Sequence, residues 1–150
     1  MTDLSELIDR VEKATGADRE LDAAVWNATI GGDVWSYDDN AHIDALIESG
    51  VYRGDKQLHP NYENNPRVTW RYRIGDDYGE IPELTYSTDA ALALTERMLP
   101  GAFWIMCKGR VRHDEPLFDF ALLFGTDEVI AEAEHNDLCC AIVLATLLAL

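Results

Sequence analysis

The sequence predicts an α+β fold, a three-layer α/β/α sandwich on an antiparallel sheet of about four strands. Three observations predict it. Helix-period apolar stripes stand near both ends of the chain and in its middle. Alternating segments lie between them. Short turn-rich links join the last three of these segments, which demands antiparallel pairing. The chain has 150 residues, 47% of them apolar and 27% charged, a globular balance. A single domain over 1–150 of that length buries roughly two-thirds of its unfolded surface and needs no staples.

The elements follow in order. Leu4, Leu7, Ile8 and Val11 form the first helical stripe, from about Asp3 to Thr15, with Asp3 and Glu6 as a capping-box-like start and Gly16 as the stop. Asp18 caps a second helix to about Thr29, with Leu21, Ala24, Val25 and Ala28 as its stripe and Gly31-Gly32 as its end. A shorter helix from Ala41 to Ser49 presents Ile43, Leu46 and Ile47. Residues 50–66, with Gly54, Pro60, Asn61, Asn64, Asn65 and Pro66, read as an irregular loop within the domain.

Arg67 to Ile74 then alternates. Val68, Trp70, Tyr72 and Ile74 face one way, and Arg67, Thr69, Arg71 and Arg73 the other, as on a half-buried strand. Asp76-Asp77-Tyr78-Gly79 reads as a turn. Ser87 or Thr88 caps a helix to Leu99 with Ala91, Leu94, Thr95 and Met98 inward, stopped by Pro100-Gly101. Strands follow at Phe103–Arg112, Leu117–Phe124 and Glu128–Glu134, the first two joined by an Asp114-Glu115-Pro116 turn. Asn136 or Asp137 caps a terminal helix through Leu148 that is apolar on nearly every side and must be covered all round. If one chain does not cover it, it pairs across a homodimer. The first two helices are expected over one face of the sheet, the last two over the other.

Charge narrows the function. With 12 basic and 28 acidic residues the net charge is −16. Direct nucleic-acid binding runs on Lys and Arg at phosphates, so it is excluded, and so is an anionic membrane surface. The helix–three strands–helix order after Thr88 matches a double-stranded-RNA-binding domain, but the last 37 residues hold no Lys or Arg. The charge is uneven. Residues 1–66 carry 14 acids and 5 bases, 67–113 carry 6 and 7, and 114–150 carry 8 and none. The middle third is a cationic island.

Cys107, Cys139 and Cys140 are odd in number and two are adjacent, so they are no disulfide framework. Reduced thiols fit a cytoplasmic protein. The amphipathic, acidic N-terminus lacks a signal-peptide pattern. The apolar run Leu138–Leu150 is shorter than the ~17 residues that span a bilayer.

Two segments resemble the phage ABA-sandwich domain family. They are ATGADRELDAAVWNAT (Ala14 to Thr29) and YSTDAALALTERMLPGAFW (Tyr86 to Trp104). The closing HNDLCCAIVLATLLAL also fits, with Asn136-Asp137 where the family's usual signature has a Thr-Pro pair. The likeness covers about half the chain and omits residues 31–85. It implies a small phage or prophage protein with an α/β/α fold, working in the bacterial host cell. The family supplies no reaction or catalytic residues to carry over.

The cationic island holds the candidate binding residues. Arg67, Arg71 and Arg73 share one strand face. Lys108, Arg110 and Arg112 share another, with Trp104 and Met106 on the same parity. If both strands lie in one sheet with these faces aligned, the six bases form a site for a small anionic, nucleotide-like ligand. Guanidinium forks grip phosphate, and Trp104 stacks a ring. The competing reading pairs these bases with nearby acids, at a surface value of only ~0–1 kcal/mol each. His42, His59, His113 and His135 lack ligand spacing, so no metal or other cofactor is expected. Asp76, Asp77 and Glu80 lack a calcium-loop pattern. Arg19, Glu20 and Asp22 are either a polar site or helix-cap and surface charges. No nucleophile, phosphate-loop or metalloprotease motif is present, which favours a non-enzymatic protein. The expected function is ligand binding at the cationic patch. The alternative is an acidic interaction or nucleic-acid-mimic module acting on a host protein.

Overall fold

A computed structural model describes residues 3–109, 118–125 and 128–150, with the backbone alone for 105–109 and 118–124. The fold is mixed α and β, as expected. Contacts divide the chain into two compact units, residues 1–31 with 82–150, and residues 32–81. Among the described residues no helix is long and apolar enough to cross a membrane.

The first unit starts with α1 (Leu4–Lys13) and α2 (Arg19–Thr29). Both begin at the predicted caps. Asp3 accepts from the Ser5 backbone N–H and Asp18 from that of Leu21. The buried side of α2 differs from the predicted stripe: Leu21, Asp22, Ala23, Val25 and Trp26 are inside, and Ala28 is exposed. A buried Asp beside a Trp hides the stripe from a reading that counts only aliphatic residues.

Asp22 is fully buried. Its Oδ1 accepts from the Thr85 backbone N–H at 2.7 Å and its Oδ2 from Arg19 Nη1 at 2.8 Å. Thr85 Oγ1 accepts from the Asp18 backbone N–H at 2.8 Å. The DRELD segment therefore ties α2 to the stretch just before the helix that begins at Thr88. Glu20 sits outside this tie, exposed, with Arg10 at 3.8 Å.

In the second unit lie β1 (Asp33–Asp38), α3 (Ala41–Glu48), β2 (Val68–Ile74) and β3 (Asp77–Glu80). The three strands form one antiparallel sheet in the order β1-β2-β3. Residues 50–66 are irregular apart from a 3-10 turn at Lys56–Leu58.

The first unit resumes with α4 (Thr88–Met98), β4 (Phe103–Gly109), β5 (Phe118–Phe124), β6 (Val129–His135) and α5 (Leu138–Leu148). Ser87 caps α4 through the Ala90 N–H, and Asp137 caps α5 through the Cys140 N–H. The three strands form the expected antiparallel meander. The turn expected at Asp114–Pro116 lies outside the described residues.

All nine residues from Cys139 to Leu147 are buried, which is what an all-round apolar helix requires. α5 packs on β5 and β6, and α1 and α4 pack on α5. The placement of α1 differs from the expected one over the opposite sheet face, because an all-apolar α5 needs cover on its far side as well. Where α4 meets α5, Thr95 Oγ1 and Thr146 Oγ1 lie 2.7 Å apart, so one hydroxyl donates to the other, and the hydroxyl that accepts donates to a carbonyl of its own helix, Ala91 or Ile142. These bonds satisfy the buried hydroxyls. Cys139 and Cys140 are both buried, and Cys139 Sγ lies 3.5 Å from Thr88 Oγ1. Burial, with Asp137 nearby, pushes the Cys140 thiol up to about 12, so it is inert as a nucleophile at neutral pH.

The strand count and grouping differ from the expected single sheet of about four. Six strands fall into two sheets of three among the described residues. Alternation in a sequence assigns faces, but not neighbours.

Candidate functional site

The second unit's sheet brings guanidinium groups and aromatic rings to one face. β2 provides the alternation: Arg67, Arg71 and Arg73 are exposed, while Trp70, Tyr72 and Ile74 are half-buried on the other side. Val68, expected with the buried set, is 47% exposed at the strand's start.

Two glycines hold this strand in register. Gly75 opens the two-residue link to β3 with φ +61, as a II′-type hairpin requires. Gly32 enters β1 with φ +91, and a Cβ there would meet the Arg73 carbonyl oxygen at 2.7 Å.

Antiparallel pairing then sets the rows. Asp33, Arg73 and Tyr78 form one, Trp35, Arg71 and Glu80 the next, and Tyr37 and Thr69 the third. Residues opposite each other across a ladder share a face. Trp35 is 40% exposed, Tyr37 42% and Tyr78 71%, so all three rings meet solvent. Successive rows stand about 7 Å apart, within reach of one phosphate-sized anion.

The three arginines differ in their partners. Arg67 Nη2 lies 3.4 Å from Glu80 Oε1, and its backbone N–H donates to Asp39 Oδ2. The Arg71 guanidinium stands 5.8 Å from the centre of the Tyr37 ring, a cation–π arrangement. Arg73 Nε donates to the Gly75 carbonyl at 3.2 Å. Among the described residues, no carboxylate lies within ion-pair distance of Arg71 or Arg73. The pairing with acids that sequence allows for every base thus holds for Arg67 alone of these three.

Not all predicted site residues gather here. Trp104 and Lys108 belong to β4, in the other sheet, so Lys108 does not share a sheet with Arg67, Arg71 and Arg73. Trp104 is half-buried and packs against the first unit's core. Lys108 pairs with Asp119 in the ladder. Arg110 and Arg112 lie outside the described residues.

The rings at Trp35, Tyr37 and Tyr78 were not among the predicted site residues. Their signal was the alternation of Asp33, Trp35 and Tyr37 against Val34, Ser36 and Asp38, which is short and shows no apolar–polar contrast. Asp76, Asp77 and Glu80 form no metal cluster, and no group of three metal-ligating side chains occurs among the described residues. His135 is buried, and its Nδ1 accepts from the Asp137 N–H at 2.9 Å. His42 and His59 form an edge-on ring pair 6.1 Å apart.

Rings beside guanidinium forks on an open sheet can hold a flat anionic molecule by stacking and charge. No family model, no curated protein and no solved structure matches the chain.

Proposed function

We propose that this chain is a small phage or prophage accessory protein, non-enzymatic, that binds a nucleotide-like anion on the arginine–aromatic face of β1, β2 and β3. One observation carries the reading. Arg71 and Arg73 are exposed without an ion-pair partner among the described residues, in rows that also hold Trp35 and Tyr78. A ring stacked on Trp35 or Tyr78 would leave its phosphate at the Arg71 and Arg73 forks. The likeness of Ala14–Thr29 and Tyr86–Trp104 to the phage ABA-sandwich domain supports the viral origin and, with it, the host cytoplasm as the place of action. The three-layer α/β/α order belongs to the same proposal. Phe103 and Val129, half exposed and aligned across β5 through Phe124, support it as apolar side chains that a further layer would cover.

Thermal unfolding with nucleotides and cyclic dinucleotides tests the binding. A ligand at 100 times its Kd adds about 2.7 kcal/mol, a rise in Tm of roughly 5–10 °C at this size. Arg71→Glu is expected to abolish the rise. No rise with any such ligand, or one that survives Arg71→Glu, overturns the reading. A second reading, an acidic mimic that occupies a host protein, is supported by the net −9 of residues 1–66 and −8 of residues 114–150. Capture of a host protein that weakens steeply with salt and survives Arg71→Glu distinguishes it.

A further inference from the structure

The first unit holds a hollow of about 170 Å³, lined by residues of that unit alone. Trp26 of α2, Pro82 and Leu84 of the segment before α4, and Ala93 and Leu94 of α4 line it. Arg97, one turn beyond Ala93, supplies its charge. The guanidinium stands 5.6 Å from the centre of a Trp26 ring. Arg97 is exposed, and among the described residues no carboxylate lies within ion-pair distance of it.

We propose that this hollow is a binding site for a small carboxylate bearing one aromatic ring. Three features select that class. The walls are apolar, and an apolar cavity of roughly 150 Å³ accommodates one benzene ring, so the space has room for a single ring. Trp26 offers an aromatic surface for edge or offset contact. The unpaired Arg97 fork stands at the same wall, where it meets a carboxylate bidentately while the indole holds it in place. Ala90 and Ala93 line the hollow with methyl groups only, on the face shared by Leu94 and Arg97. A larger side chain at 93 closes it.

Phenylacetate and its neutral counterpart phenylacetamide are the probes, titrated into the full chain and followed by amide and indole N–H resonances. Phenylacetate is expected to shift the Trp26 indole and the amides of Leu94 and Arg97, and to bind roughly 10-fold more tightly than the amide. Arg97→Gln should remove that preference. Ala93→Phe, on an exposed position, should abolish binding of both probes with the rest of the spectrum unchanged. The proposal is overturned if no resonance of these residues shifts at millimolar phenylacetate, or if acid and amide bind equally. It is equally overturned if Arg97→Gln leaves the preference intact. Should Ala93→Phe disturb the fold, the Arg97→Gln titration decides alone.

Discussion

The terminal helix α5 and the sheet β1–β2–β3 use apolar and aromatic residues in opposite ways. From Cys139 to Leu147 every residue of α5 is buried. No residue of β1, β2 or β3 is fully buried, although these strands hold Trp35, Tyr37, Trp70, Tyr72 and Tyr78. The helix spends its side chains on the core. The sheet leaves large rings at the surface beside guanidinium groups, an arrangement that contributes little to stability and suits recognition. Stability and function in this chain are thus expected to respond to different residues.

The largest expected effect comes from truncating α5. Ile142→Ala should cost about 2–5 kcal/mol in urea unfolding, since the side chain is fully buried and the helix is enclosed. Val68→Ala, at an exposed position in β2, should stay within about 0.5 kcal/mol. Equal losses at the two sites would erase the contrast. Cys140 sharpens it chemically. With its thiol pushed up to about 12 and its side chain buried, alkylation at pH 8 should wait for unfolding and follow the urea transition. Rapid modification in native buffer would mean that α5 is less enclosed than its contacts indicate.

The same contrast explains what was legible in the sequence. α1, α2, α4 and α5 carry their own start signals in Asp3, Asp18, Ser87 and Asp137, and an apolar period that packing reinforces. β2 was legible because Arg71 and Arg73 alternate with Trp70, Tyr72 and Ile74. β1 and β3 were not. Exposed Trp35, Tyr37 and Tyr78 blur the apolar–polar rhythm, and Asp76-Asp77-Tyr78-Gly79 has turn composition although Asp77 onward is paired. So the arginine half of the candidate face was readable and the aromatic half was hidden. The separation of Arg71 from Trp104 into two sheets was unreadable for a different reason, because strand partners are long-range choices that periodicity does not encode.

Asp22 gives an intermediate effect. Asp22→Ala removes the acceptor of the Thr85 N–H and the partner of Arg19, at an expected cost of roughly 1–3 kcal/mol. Its pH dependence has a definite sign. Burial raises its carboxyl above the ordinary 3.8, against the lowering effects of Thr85 and Arg19. The folded chain therefore holds this proton more tightly than the unfolded one. Wild type should gain stability relative to Asp22→Asn as pH falls through the raised folded value towards 3.8, and lose that gain as pH rises. Parallel urea midpoints for the two proteins across that window would mean that the carboxyl is not held above its ordinary value.

A small stability effect is also expected of the residues on which the functional proposal stands. Trp35→Ala and Tyr78→Ser remove exposed rings, and each should change unfolding free energy by no more than about 0.5–1 kcal/mol. If the face binds a ring-bearing anion, the same changes should weaken that binding by about 1–3 kcal/mol, the value of one base–aromatic stack. Measuring both quantities on each variant separates the roles. A loss of binding with stability kept makes the rings recognition elements. A loss of stability near that of Ile142→Ala makes them part of the second unit's packing. Arg71 would then lie beside a structural surface, and the opposition between helix and sheet would no longer locate function.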